Sequence, residues 1–340
     1  MAKDSTEYRE HWGREGFAGT GVNVTRTHHS PDFLSVTGPH VPHRLNVGAV
    51  ALPDREDAEA LPVPFHAGRT GVQLSASGRA HPMPFVVSNV EADEVHFVQE
   101  GGLEFRTAYG TLTGEPGDFV VIPRGIPYRV RPLAGSSLSV IVETPGALRF
   151  DPSPTFGTGL RRAVIGEDEA QDVETVLLLK CFDGVTRYLK PTNPLATQAL
   201  ADGPSPVWKL NLRDVPTDPN GPPVQFIASP GRDELFYNLS ARPRRRPPIH
   251  NNVDYDELIY YFEGPGAWGE GDEPGMLTCV PKGVIHHGPS EDVPEGYYAW
   301  MLESRCTLRL TDAGAAAAEL METDLYGPHA TSRYGAANGR

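Results

Sequence analysis

Apolar and polar positions alternate in short runs along most of this chain, and turn-forming residues close the runs. Two stretches show the pattern best. In the first, Asp93-Glu94-Val95-His96-Phe97-Val98-Gln99-Glu100 stops at Gly101, and a second run, Gly117-Asp118-Phe119-Val120-Val121-Ile122, enters the turn Pro123-Arg124-Gly125 and reaches Tyr128. In the second, Asp256-Glu257-Leu258-Ile259-Tyr260-Tyr261-Phe262-Glu263 stops at Gly264, and Met276-Leu277-Thr278-Cys279-Val280 enters Pro281-Lys282-Gly283. β-Branched and aromatic residues bounded by glycine and proline predict strands. The likeness of the two stretches is a weak internal repeat, which predicts two β-barrels or sandwiches from one module. The expected division is 1–160, an N-terminal arm and first barrel, and 161–340, a second barrel with a C-terminal helix. Helix is otherwise sparse. Glu167 to Thr175 reads as a short acidic surface helix, and Thr311 to Glu322 as an alanine-rich helix capped by Thr311 or Asp312 despite Gly314.

Composition narrows the function classes. The 340 residues include 36 Gly and 33 Pro spread along the chain, which fits many turns between short strands. A formal net charge of -14 argues against a nucleic-acid partner, because phosphate binding needs a basic face. The dense basic run Arg242 to Arg246 reads as a solvated loop, or one that pairs with acidic neighbours; anchoring an anionic substrate group is the alternative. No apolar run approaches membrane-spanning length, and the N-terminus has no signal-peptide core. Cys181, Cys279 and Cys306 are odd in number and far apart, which points to buried thiols in a reducing cytoplasm. Cys279 is singled out for lying near the candidate site. His28, His29, His40, His43, His66, His81, His96 and His329 read as ordinary members of polar networks.

The candidate chemistry lies in two segments. Pro247-Pro248-Ile249-His250-Asn251-Asn252-Val253-Asp254-Tyr255-Asp256-Glu257 is followed downstream by Pro281-Lys282-Gly283-Val284-Ile285-His286-His287-Gly288-Pro289. Two imidazole sites and one carboxylate, each beside turn formers, are the ligand set of a mononuclear non-haem iron centre with open positions for substrate and oxygen. A hairpin at Asn251 to Asp254 lets His250 and Glu257 face each other across adjacent strands.

The repeat resembles the cupin pattern: Glu, six residues, Gly, then Pro-x-Gly-x-x-ligand. In the second copy His250 stands at the first ligand position, Asn252 where many cupins carry a second His, and Glu257 at the carboxylate. In the first copy Asn89 and Glu91 occupy the His region, Tyr128 replaces the downstream His, and only Glu94 remains, so the first barrel reads as structural. Over about Gly13 to Leu310 the chain resembles the homogentisate 1,2-dioxygenase-like family, of the shorter bacterial type. The residues that carry this are Gly16-Phe17-Ala18-Gly19, the Asp93 to Arg129 block, Trp208-Lys209-Leu210-Asn211-Leu212-Arg213-Asp214, the His250 to Glu257 block, Pro274-Gly275-Met276 and His287-Gly288-Pro289.

The resemblance implies a mainly β bicupin of two double-stranded β-helix (jelly-roll) barrels, Fe(II), and opening of an aromatic ring with O2 in a homo-oligomer. It carries ligand roles onto His250 and Glu257. For the third ligand, the Pro-x-Gly-x-x-His spacing selects His286 and the His-Gly-Pro pattern selects His287; we take His287 as the ligand and His286 as its neighbour, orienting a ligand or contacting substrate. The family carries a proton-handling His shortly before the Trp-Lys-Leu-Asn motif. Here Pro194 to Gly203 has none, which argues against homogentisate itself as the substrate. His286 and Tyr255 are then the candidate proton acceptors. The alternatives are a non-oxidative metal-dependent cupin (isomerase, lyase or hydrolase) and a metal-binding bicupin with no activity.

Overall fold

The computed structural model describes residues 7–15, 19–151, 159–166, 170–243, 246–264 and 273–326. Gly16 to Ala18, residues 167–169 of the expected acidic helix, Arg244, Arg245 and His329 lie outside the described residues. The described chain is β throughout, apart from single 3-10 turns and one α-helix. No helix among the described residues is long and apolar enough to cross a membrane.

Four sheets stack as two barrels. The first copy of the repeat lies in an eight-stranded sheet, where Asp93–Glu100 runs antiparallel between Asp118–Ile122 and Leu138–Thr144. A six-stranded sheet containing Val86–Asn89, Leu103–Thr107 and Tyr128–Pro132 closes that barrel. The second copy lies in another eight-stranded sheet, with Asp256–Glu263 between Met276–Val280 and Tyr298–Ser304. A four-stranded sheet containing Tyr8–Gly13, Ile249–Asn252 and Ile285–His287 closes the second barrel. This is the bicupin architecture that the repeat predicts.

The period of two along each strand decides which way each residue faces. From Asp93–Glu100, Val95 and Phe97 enter a central core shared by both barrels, while Val98 enters the interior of the first. From Asp256–Glu263, Leu258, Tyr260 and Phe262 enter the shared core, while Ile259 and Tyr261 enter the interior of the second. The two eight-stranded sheets are therefore joined back to back through aromatic rings. Phe97 lies 5.5 Å from Tyr260, 5.2 Å from Phe262 and 5.4 Å from Trp300, mostly edge to face or tilted, as ring quadrupoles prefer.

The expected boundary at residue 160 does not coincide with the partition of the sheets. His43–Asn46 pairs with Met276–Val280 in the second barrel, and Leu308–Leu310 pairs with Val63–Gly68 in the first. Two hairpins occupy matching places. Thr175–Cys181 runs parallel to Val86–Asn89 with Lys180 opposite Asn89, and Tyr8–Gly13 runs parallel to Ile249–Asn252 with Gly13 opposite Asn252.

Two helix expectations need correction. Residues 170–174 are irregular, and Thr175 opens a strand whose aliphatic run is drawn into the sheet. The C-terminal helix covers only Asp312–Ala317, capped by the Thr311 hydroxyl, which accepts from the Gly314 amide at 3.2 Å. Ala318–Leu320 leaves it to pair with His43–Asn46. Gly314 is explained by close approach, since a Cβ there would lie 2.1 Å from the Phe65 carbonyl oxygen.

Candidate metal centre

The second barrel brings His250, Glu257 and His286 together, all buried, with one ligand atom from each within 4.8 Å of the others. Cross-strand pairing produces this. His250 lies opposite His286 in the four-stranded sheet, and Glu257 reaches across from the eight-stranded sheet. The turn at Gly283, with φ 81°, sets the register that delivers His286.

His286 Nδ1–H donates to the Val284 carbonyl at 3.0 Å, and His250 Nδ1–H donates to the Pro248 carbonyl at 2.9 Å. Each ring is thereby fixed in the tautomer whose Nε2 carries a lone pair, the arrangement found behind metal-ligating histidines. The Nε2 atoms of His250 and His286 lie 3.9 and 3.7 Å from Glu257 Oε2. His286 Nε2 is buried and has no hydrogen-bond partner. Burial, then the neighbouring His286, holds the His250 imidazolium down at about 4, so the ring is neutral near pH 7. Burial works against ionisation of Glu257, but the His286 and His250 rings outweigh it and keep the carboxylate charged. Asn252 Nδ2 donates to Glu257 Oε2 at 2.9 Å and orients it. An orphaned lone pair, a second fixed imidazole and an ionised carboxylate fit a divalent transition-metal ion.

The structure places His287 elsewhere. One residue further along the strand the side chain faces the other way, and His287 Nδ1 lies 3.3 Å from Asp324 Oδ1, in a half-buried group with His29. The spacing from Pro281, not the His-Gly-Pro pattern, matches the register. Tyr255 also departs from expectation. Its hydroxyl donates to the Arg232 carbonyl at 2.7 Å, its ring packs with Ala228 and Leu235, and it does not line the cleft. Nor does any residue of Pro194 to Gly203.

A cleft of about 420 Å³ opens onto the centre, a size suited to a small organic ligand. Pro222, Pro223, Pro247, Pro248 and Pro289, with Tyr237, Leu239 and Met301, give it a largely apolar lining. The polar lining includes Arg232 and Glu303, neither singled out from the sequence. Arg232 holds a left-handed backbone, φ 56°, a cost for a non-glycine residue that tends to be kept where it serves function. Glu303 lies opposite Glu257, accepts from the Tyr237 hydroxyl at 3.2 Å, and is pushed up to about 8 by burial and then by the Glu257 charge. A signal for it was present: Glu143-Thr144 and Glu303-Ser304 end matching strands of the repeat. The two described arginines of the basic run are paired with carboxylates. Arg242 forms a buried ion pair with Glu291, and Arg246 pairs with Asp324 at 3.1 Å.

The first barrel keeps the frame of this centre without its imidazoles. Val87 and Tyr128 pair where His250 and His286 pair. Asn89 Nδ2 donates to Glu94 Oε1 at 2.9 Å and to Glu143 Oε2 at 2.9 Å, and the Tyr128 hydroxyl donates to Glu94. At its middle sits a cation from the chain itself. Lys180 Nζ lies 2.5 Å from Glu143 Oε1 and 4.0 Å from Glu94 Oε1. Burial opposes ionisation of Glu94, but the His96 hydrogen bond at 3.1 Å and the Lys180 charge outweigh it and hold its carboxyl at about 2.

Fold and site thus define a two-barrel β protein of cupin architecture, with a buried histidine–carboxylate cluster in its second barrel. No family model matches the chain. It is 25% identical over 228 residues to a protein named as a dioxygenase from Saccharolobus solfataricus, covering 61% of this chain and 58% of that one. It is 25% identical over 272 residues to a homogentisate 1,2-dioxygenase from Bradyrhizobium diazoefficiens, covering 69% of this chain and 60% of that one. The chain spans about three-fifths of the length of these two relatives. Among solved structures it is similar to a cupin 2 conserved barrel domain protein from Leptotrichia buccalis, with TM-score 0.46, 13% identity, and 78% of this chain and 97% of that one covered. A variant of Bacillus subtilis oxalate decarboxylase aligns with TM-score 0.44, 9% identity, and 81% and 79% coverage.

Proposed function

We propose that the protein is an Fe(II)-dependent dioxygenase that cleaves the ring of a hydroxylated, or hydroxy- and amino-substituted, aromatic metabolite other than homogentisate. The observation that carries this reading is the convergence of two buried imidazoles, each with Nδ1 tied to a backbone carbonyl, on the Glu257 carboxylate beside the cleft. The names of the curated relatives support the choice of oxygen chemistry.

His250, Glu257 and His286 would hold the iron. When bound, it supplies Lewis acidity toward a phenolate oxygen and the electron density that dioxygen accepts. In the overall reaction one ring carbon–carbon bond breaks and both oxygen atoms enter the product, so no external reductant is consumed. The protein's own part is positional. The prolines and Met301 offer apolar surface on which a flat ring would pack. Asn252 keeps Glu257 turned toward the histidines. Glu303, which accepts from Tyr237 and lines the cleft, would take the substrate's hydroxyl proton in its ionised form, which burial confines to pH near and above about 8; the sequence offered His286 or Tyr255 for this role.

The test is anaerobic loading with Fe(II), then oxygen uptake across a panel of phenols, hydroquinones and aminophenols. Uptake with one of them, at a rate homogentisate does not match, is the expected result. Stoichiometric iron with no uptake from any compound would hand the site to a non-oxidative cupin reaction. Glu303→Gln should lower kcat by about 100-fold or more, the usual contribution of a placed proton carrier, while iron content stays that of the parent.

A further inference from the structure

We propose a second metal site, for a soft thiophilic d10 cation, formed by His43, His66 and Cys279 in the core between the two barrels. The three residues are 6, 0 and 1% exposed. They come from different sheets: His43 and Cys279 are cross-strand partners in the second barrel's eight-stranded sheet, and His66 lies on Val63–Gly68 of the first barrel's. One ligand atom from each lies within 4.8 Å of the others. The site is separate from the iron ligands, because Cys279 packs into the shared core while Met276 and Val280, on the same strand, face the interior that holds His250.

The hydrogen-bond pattern shows which ring atoms face each other in this cluster. His43 Nδ1–H donates to the Val41 carbonyl at 2.8 Å, which leaves a lone pair on His43 Nε2. His66 Nε2 lies 2.7 Å from it, so without an ion His66 keeps its hydrogen on Nε2 and donates it to His43. His66 Nδ1 is then an acceptor in a fully buried ring with no partner. Burial keeps both imidazoles neutral, the form that ligates, and pushes the Cys279 thiol up, so the ion itself has to displace the thiol proton.

Ligand chemistry selects the ion. Imidazole nitrogen and a thiolate suit soft d10 ions. One thiolate leaves no net charge with Cu⁺ and a net positive charge with Zn²⁺, and a dry core disfavours the latter. Cu⁺ is therefore the charge-matched occupant. On binding, the Cys279 thiol proton leaves to solvent, the two rings part from their 2.7 Å hydrogen bond so that the sulfur and both Nε2 atoms bond the ion, and the His66 hydrogen moves to Nδ1. No electron changes hands. The site would rivet the two sheets at the edge where the barrels trade strands.

The experiment is an anaerobic titration of the full chain with Cu⁺ against a chromogenic chelator, followed by the ultraviolet thiolate-to-copper absorption. The parent and His286→Ala should each bind one tightly held Cu⁺ with that absorption, which separates this site from the iron ligands. Cys279→Ser should lose the absorption and at least about tenfold in affinity, while Cys306→Ser keeps both. His66→Gln serves as a second variant should Cys279→Ser not fold. Folded parent protein that binds no Cu⁺, or absorption unchanged in Cys279→Ser, would leave only a hydrogen-bonded histidine pair and overturn the proposal.

Discussion

His286→Ala should strip the iron, with affinity falling by at least about 100-fold, because even groups that merely orient a ligand cost roughly 10–100-fold when removed. Oxygen uptake should fall to background with it. His287→Ala, by contrast, should keep iron at the parent level and change stability only slightly, since its partner Asp324 retains Arg246. Elemental analysis of the two purified variants decides the matter. Iron lost from His287→Ala and kept by His286→Ala would restore the His-Gly-Pro pattern as the guide to the ligand. Both rings being dispensable would remove the metal assignment altogether.

That pair of neighbours shows what was legible in the sequence. The Pro-x-Gly-x-x spacing encodes a turn, and a turn sets strand register, so it carries geometric information. A His-Gly-Pro tripeptide carries only likeness. In a strand, an error of one residue sends the side chain to the opposite face, and here it exchanges a buried member of the histidine–carboxylate cluster for a half-buried partner of Asp324. The two barrels were legible because their strands are periodic and their stops are glycines. The traded strands were not, because a short strand such as His43–Asn46 carries no mark of the sheet it will join. Glu303 was missed because one carboxylate in an apolar strand reads as surface until the partner strand is known. His43 and His66, 23 residues apart, could be brought together only by the fold.

Lys180→Met should cost about 3–5 kcal/mol of stability, the usual result of removing one member of a buried charged pair. The ammonium is largely shielded from water, and without it Glu94 and Glu143 are left in the first barrel with only neutral hydrogen-bond donors and His96 nearby. Denaturant melts of the parent and the variant measure the loss. The pH dependence follows from the lowered Glu94 carboxyl. Its contribution to parent stability is complete above pH 4.5 and drains away as the pH falls toward about 2. In the variant the folded-state value rises, so the contribution shrinks and its loss begins at higher pH. Adding Glu143→Gln to Lys180→Met should recover part of the stability. A variant as stable as the parent at pH 7 would show that the ammonium is incidental.

The traded strands also bear on how small this protein can be made. Expressed alone, residues 161–340 would lack His43–Asn46, which covers one side of Met276–Val280, and Tyr8–Gly13, which lies along the strand bearing His250. Residues 1–160 would lack Leu308–Leu310 along Val63–Gly68. Each fragment would carry a row of unpaired amides and carbonyls, the template on which separate chains stack into aggregates. What the sequence presents as two repeated modules is, for anyone cutting or grafting it, a single indivisible unit.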